Sequence, residues 1–178
     1  TFTHNLGVAP ELMIVKRRSA SSFNGWPVYV PTSTAPRTNV CLLNTTASAA
    51  DTSYFNLTVP TSTVFSVDDH QDVNASGNTY VAYLFAHNAG GFGLTGTDNV
   101  ISCGSFTTDG SGNATVSLGY EPQWVMMKSS SNTGNWLMLD VMRGWNNAVT
   151  QDARLYANTS AAETPQDWGN PTSTGFYA

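Results

Sequence analysis

The chain has 178 residues, of which 40% are hydrophobic and only 11% are charged, and its net charge is −5. This composition excludes a disordered chain and a helical protein rich in Ala, Glu, Lys and Leu. The one basic cluster, Lys16-Arg17-Arg18, is smaller than a nucleic-acid-binding face, and no apolar run has the length of a membrane span. We therefore expect neither nucleic acid nor a membrane as a partner.

Short strands separated by turns dominate the sequence pattern. The predicted strands are, in chain order, residues 11–16, 26–30, 64–67, 80–85, 100–106, 114–118, 123–128 and 136–140. Residues 109–113 predict a hairpin loop between two of them. Helix is expected only at residues 47–52 and 160–164, about one turn each. The set predicts an all-β protein, an antiparallel β-sandwich with a jelly-roll-like arrangement.

Part of the sequence occurs twice. Leu6-Gly7-Val8-Ala9-Pro10 precedes one apolar segment, and Leu118-Gly119-Tyr120-Glu121-Pro122 precedes another, with an offset of 112 residues from Lys16 to Lys128. Three further matches follow in the same order: Trp26 with Trp136, residues 45–47 with 159–161, and residues 60–65 with 171–176. This order predicts a duplicated unit, with a first repeat at residues 1–113 and a second, incomplete repeat at residues 114–178.

The second repeat lacks a counterpart of the predicted strand at residues 80–85. One interpretation is that the sequence is a fragment, and the other is that a different chain supplies the missing strand. A sheet without that strand has unpaired backbone groups along one edge. We therefore expect a multimer, with contacts near residues 125–127 and Phe176.

Three segments carry a resemblance to a known family: residues 118–128 (LGYEPQWVMMK), residues 80–86 (YVAYLFA) and residues 155–163 (LYANTSAAE). They resemble a tandem-repeat β domain of virion structural and tail-fibre proteins in tailed phages, most often marine and cyanobacterial phages. The resemblance implies a structural protein on the surface of the extracellular virion, with other virion proteins and copies of itself as partners. It brings no catalytic residues, and the incomplete second repeat departs from it.

The ionisable residues do not form a recognisable catalytic set. Asp68-Asp69-His70 with Asp72 is either a calcium site or a solvated acidic turn, and the missing calcium-loop pattern favours the turn. No nucleophile elbow is present, so we expect no enzyme, no cofactor and no metal site. Cys41 and Cys103 either form one disulfide or remain two buried thiols, and the second interpretation is favoured.

Tryptophans supply the remaining candidate site. Trp26 and Trp136 recur in both repeats, which predicts core positions. Trp145-Asn146-Asn147 has no counterpart in the first repeat, and an aromatic ring beside two amides suits sugar binding, although a partly buried loop anchor is the favoured interpretation. The predicted function is a virion structural module that acts by assembly. The alternative is a lectin-like receptor-binding module that contacts host surface glycans through this loop.

Overall fold

A computed structural model describes residues 1–19, 22, 24–30, 39–51, 54–56, 58–147 and 151–178. The described residues form antiparallel β-sheets and one 3₁₀ turn, Val141–Arg143, so the all-β prediction is confirmed. The chain divides into two compact units. Unit 1 comprises Thr1–Ser105 with Ser130–Asn132, and unit 2 comprises Phe106–Ser129 with Thr133–Ala178. The division between the two repeats, after residue 113, was inferred from sequence matches and stays a prediction.

The described residues of unit 1 form seven strands in two sheets. They are β1 (Phe2–Thr3), β2 (Leu12–Arg17), β3 (Pro27–Tyr29), β4 (Asn39–Leu42), β5 (Ala50–Asp51), β6 (Val64–Phe65) and β7 (Tyr80–Phe85). The larger sheet has the order β5-β4-β3-β2-β7, and the smaller pairs β1 with β6. Both sheets contribute to one core, because Met13 and Val15 of β2 share a buried cluster with Phe65 of β6. Unit 1 is therefore a two-layered, sandwich-like structure.

In unit 2, the part of the chain that the structure describes also forms seven strands in two sheets. They are β8 (Thr115–Ser117), β9 (Trp124–Met127), β10 (Leu137–Asp140), β11 (Asp152–Tyr156), β12 (Thr164–Gln166), β13 (Pro171–Thr172) and β14 (Gly175–Tyr177). The larger sheet has the order β12-β11-β10-β9, and the smaller has the order β13-β14-β8. Leu137 and Leu139 of β10 share the core with Trp145 and with Phe176 of β14. Two sheets again enclose one core.

Four strands of the larger sheets follow the same order and the same pairing register in the two units, β5-β4-β3-β2 in unit 1 and β12-β11-β10-β9 in unit 2. Unit 1 places Ile14 opposite Val28 and Val28 opposite Cys41. Unit 2 places Met126 opposite Met138 and Met138 opposite Leu155. These are the positions that the sequence matches make equivalent. Duplication is one interpretation of this shared register and stays a prediction.

The same hydrogen bond also occurs in both units at the repeated tryptophans: an asparagine side chain accepts from the tryptophan backbone. The backbone N–H of Trp26 donates to Asn44 Oδ1 at 3.1 Å, and that of Trp136 donates to Asn158 Oδ1 at 2.8 Å. The predicted core position holds for Trp136, whose side chain is buried, whereas Trp26 is half-buried beneath Lys16. Each asparagine satisfies a backbone donor at a strand entrance, where an unpaired N–H is costly.

Several sequence predictions were wrong in detail. Residues 100–106 form no strand, so residues 109–113 form a turn and not a hairpin loop. Neither predicted helix forms in the described residues. In residues 47–52, of which residue 52 lies outside the described residues, the strand β5 forms instead. Residues 160–163 are irregular. Among the described residues, Cys41 and Cys103 form no disulfide, and Cys41 is buried and Cys103 partly buried. Burial raises the pKa of the Cys103 thiol to about 11, and the nearby charge of Glu11 contributes.

Candidate functional site

The loop proposed for glycan binding follows the 3₁₀ turn Val141–Arg143, which ends at Gly144 with a φ of 104°. Trp145 is 0% exposed. Its ring packs edge-on against Phe176 with 6.2 Å between centroids, and its Nε1 donates to the carbonyl oxygen of Gly169 at 2.9 Å. A sugar needs an exposed ring face for stacking. The side chain of Trp145 is instead an anchor in the core of unit 2.

The two neighbouring amides are engaged with the backbone. Asn146 Nδ2 donates to the carbonyl oxygen of Gly144, and Asn147 Nδ2 donates to that of Pro171, each at 2.8 Å. These bonds hold the loop against itself and against β13. The structure does not bring Trp145, Asn146 and Asn147 together as an exposed recognition surface. The glycan-site prediction therefore gains no support from the geometry.

A buried carboxylate near this loop was missed by the sequence analysis. Asp152, the first residue of β11, is 0% exposed. Its Oδ2 accepts from the backbone N–H of Trp168 at 3.4 Å, while its Oδ1 has no hydrogen-bond partner in the described part of the chain. Burial raises the pKa of the Asp152 carboxyl, and the charge of Asp167 raises it further, against backbone N–H groups that lower it. No signal in the sequence marks this position, because Asp152 lies in a polar run that resembles a loop.

The acidic turn at residues 68–72 has a structural role. Asp72 is buried, which differs from the solvated turn that was expected, and its Oδ1 accepts from the backbone N–H of Gly25 at 3.1 Å. The backbone N–H of Asp72 in turn donates to His70 Nδ1 at 3.2 Å. Within the described residues, no group of three or more His, Cys, Asp or Glu side chains is placed to hold a metal ion. The turn fastens residues 24–26 to the rest of unit 1.

The two units differ at one edge of their larger sheets. In unit 1, β2 lies between β3 and β7 and pairs with β7 along its whole length, from Leu12 opposite Phe85 to Arg17 opposite Tyr80. Both sides of the β2 backbone are therefore hydrogen-bonded within the unit. The backbone N–H of Arg18 donates to the carbonyl oxygen of Thr79 at 2.8 Å. This bond shows which residues of β2 have their N–H and C=O groups directed toward β7. By alternation these are the even-numbered residues of β2, such as Leu12 and Ile14.

The equivalent strand of unit 2, β9, has a neighbour on one side. It is the last strand of its sheet and, in the part of the chain that the structure describes, pairs with β10 alone. Val141 N–H donates to the carbonyl oxygen of Gln123 at 3.1 Å, so residues 125 and 127 bond to β10. Trp124 and Met126 direct their N–H and C=O groups away from β10. We call this side of the strand the β9 edge.

The β9 edge is formed by apolar residues. Its four residues, Trp124 to Met127, include no charge and no proline. Trp124 is 51% exposed, and Val125 and Met127 are partly buried against the core of unit 2. Soluble proteins normally place charges, prolines or bulges along such an edge, because an unprotected edge pairs with other strands. The β9 edge is therefore the best candidate for a functional surface.

Comparison with known proteins gives a family but no activity. No curated protein and no solved structure matches the chain. One family model matches residues 1–177 and so extends over both units. The chain belongs to this family, DUF7483, which is described as a domain of unknown function.

Proposed function

We propose that the chain is a structural module of a phage virion, in a tail fibre or another protein of the particle surface, and that it acts by assembly. Its partners are other virion proteins and copies of itself. The resemblance of residues 118–128, 80–86 and 155–163 to phage repeat domains supports the virion part of this proposal. The low content of charged residues and the short antiparallel strands suit an extracellular particle.

The β9 edge is the observation that carries the assembly part of the proposal. Among the described residues, Trp124 and Met126 of this apolar four-residue strand present unpaired backbone groups at the end of a sheet. Pairing this edge with another strand satisfies the backbone groups and buries apolar surface in the same step. A protein that works by forming contacts with its neighbours has a use for such an edge.

The lectin-like alternative has no comparable observation in its favour. It requires an exposed aromatic ring beside free amides, and the loop chosen for it contributes a buried ring and engaged amides. A glycan array probed with the purified chain tests this alternative independently. Saturable binding that survives Trp145→Phe would direct the search for a sugar site to other loops.

The proposed function is tested by locating the chain in particles. An antibody raised against the purified chain should label virions in immunogold electron microscopy, and peptides from both units should be found by mass spectrometry of particles purified on a density gradient. A matched antibody against a non-virion protein of the same phage controls for adsorbed lysate. Recovery of the chain from the lysate, with none in the purified particles, would contradict the proposal.

A further inference from the structure

Unit 1 shows how an edge equivalent to the β9 edge is covered. The shared register makes Met13 equivalent to Val125 and Val15 equivalent to Met127, because Met13 lies opposite Tyr29 and Val125 lies opposite Leu139 at matching positions. In unit 1 the outer side of this strand is occupied by β7. The covering strand of unit 1 is therefore a template for the strand that fits unit 2.

The residues of β7 indicate which side chains a covering strand places opposite this edge. Leu84 lies opposite Met13, and Ala82 lies opposite Val15. Leu84 and Tyr80 pack against the core of unit 1, whereas Tyr83, on the other face, is 48% exposed. Ala82 shares the face of Tyr80 and Leu84 but is exposed, so Tyr80 and Leu84 are the residues of this strand that pack against the core. A small residue at position 82 leaves room beside Val15.

We propose that the β9 edge binds an antiparallel strand of the β7 type, supplied by a polypeptide segment outside residues 1–178. The incoming strand places a leucine-sized residue opposite Val125 and a small residue opposite Met127. Its backbone pairs with the N–H and C=O groups of Trp124 and Met126. This inference rests on the proposed assembly function and specifies the partner and the mode of contact.

Comparison with β7 in unit 1 distinguishes between the strands that could pair with the β9 edge. The β7 strand of a second folded copy is already paired with its own β2 over six residue pairs, so that copy would have to open its sheet to donate it. A β9 strand of a second copy would supply four residues where β7 supplies six, so it would pair over a shorter length. A separate segment with the β7 pattern satisfies the edge without disrupting a folded unit.

A peptide of residues 79–87 of this chain is the probe. It should bind the full chain saturably, and amide hydrogen exchange at Trp124 and Met126 should slow by about tenfold on saturation, as expected for newly formed backbone hydrogen bonds. Exchange at Val125 and Met127, which already bond to β10, should change little. No binding, or protection at other sites only, would overturn the inference.

Matched peptides test the register without altering the folded chain. Leu84→Lys places a charge toward the core of unit 2 and should weaken binding by about tenfold or more, whereas Tyr83→Lys faces outward and should bind as the unmodified peptide does. N-methylation at Tyr83 removes a donor that points to the edge and should abolish binding, and N-methylation at Leu84 should not. Equal affinity of both lysine peptides would refute the proposed register.

A variant of the chain distinguishes binding of a separate strand from pairing between two copies of the chain. Met126→Pro removes an outward N–H, a change that an edge strand tolerates, and should abolish peptide binding while far-ultraviolet circular dichroism is unchanged. If the unmodified chain is a dimer that the peptide does not dissociate and Met126→Pro makes monomeric, the occupant is a second copy and the inference fails. Absence of the chain from virions would refute the proposed function and leave peptide binding intact.

Discussion

Replacement of Trp145 is the sharpest test of how unit 2 is held together. The side chain is 0% exposed, so its removal takes most of a large apolar surface out of the core. A buried tryptophan covers about 200 Å², and at about 25 cal/mol per Å² this corresponds to a loss near 5 kcal/mol for the whole side chain. Because alanine retains the Cβ, we expect Trp145→Ala to cost about 3–5 kcal/mol.

Trp145→Phe separates the ring contact from the hydrogen bond. Phenylalanine keeps an aromatic partner for Phe176, but it leaves the carbonyl oxygen of Gly169 without the indole donor now 2.9 Å away. The unsatisfied acceptor should cost about 1–3 kcal/mol. Trp124→Ala is the matched control, because Trp124 is 51% exposed and its loss should cost less than about 1 kcal/mol.

The assay is urea denaturation followed by circular dichroism and by tryptophan fluorescence. The variants should rank in stability as Trp124→Ala, Trp145→Phe and Trp145→Ala, from highest to lowest. Fluorescence from Trp145 should be blue-shifted and poorly quenched by acrylamide in the folded protein. A Trp145→Ala protein that unfolds at the same urea concentration as the wild type would place the ring at the surface and restore the glycan-site prediction.

Two further substitutions test the packing and the buried carboxyl of unit 2. A Cβ at Gly175 would collide with the carbonyl oxygen of Val116, so Gly175→Ala should cost about 1–3 kcal/mol in urea denaturation. Gly134→Ala, where no atom lies within 4 Å of the added Cβ, should be silent, and equal effects would contradict the close approach of β14 to β8. Folding raises the pKa of Asp152 above its ordinary value of 3.8, so the folded state favours the neutral carboxyl. The contribution of this carboxyl to the free energy of unfolding is therefore complete below pH 3.8 and is lost as the pH rises through the folded-state pKa. Asp152→Asn should therefore be more stable than the wild type at pH 7, by an amount that shrinks toward pH 3.8, and an Asn variant that is less stable at pH 7 would contradict the assigned burial.

Strands with a strong apolar pattern could be predicted from the sequence, and their pairing could not. Tyr80–Phe85 was predicted with its observed bounds, because six apolar residues lie between turn-forming segments. Asp152–Tyr156 was missed, since its mixed polar sequence becomes a strand through pairing with β10 and β12. Residues 100–106 are apolar enough for a strand but find no strand partner among the described residues, and Val100 remains 50% exposed. Pairing partners decide such cases, and a local pattern does not contain them.

The candidate site was only partly predictable for a related reason. The expectation of an uncovered edge near residues 125–127 came from a strand missing in the second repeat, which is a comparison that the sequence permits. The glycan loop was chosen from composition, and composition does not report burial. Trp145 lies in a loop with Gly and Asn neighbours, yet Phe176 and Gly169, distant in sequence, enclose it. Long-range contacts of this kind decide whether an aromatic residue is an anchor or a platform.

Amide hydrogen exchange of the free chain tests the central claim most directly, namely that β9 has an uncovered edge where β2 has a covered one. In β2, protection should be high at both Leu12 and Met13 and along the following residues, because both sides of the strand are paired. In β9, protection should alternate, high at Val125 and Met127 and low at Trp124 and Met126. Uniformly high protection along β9 in a monomeric sample would show that another part of the chain covers this edge and would contradict the account.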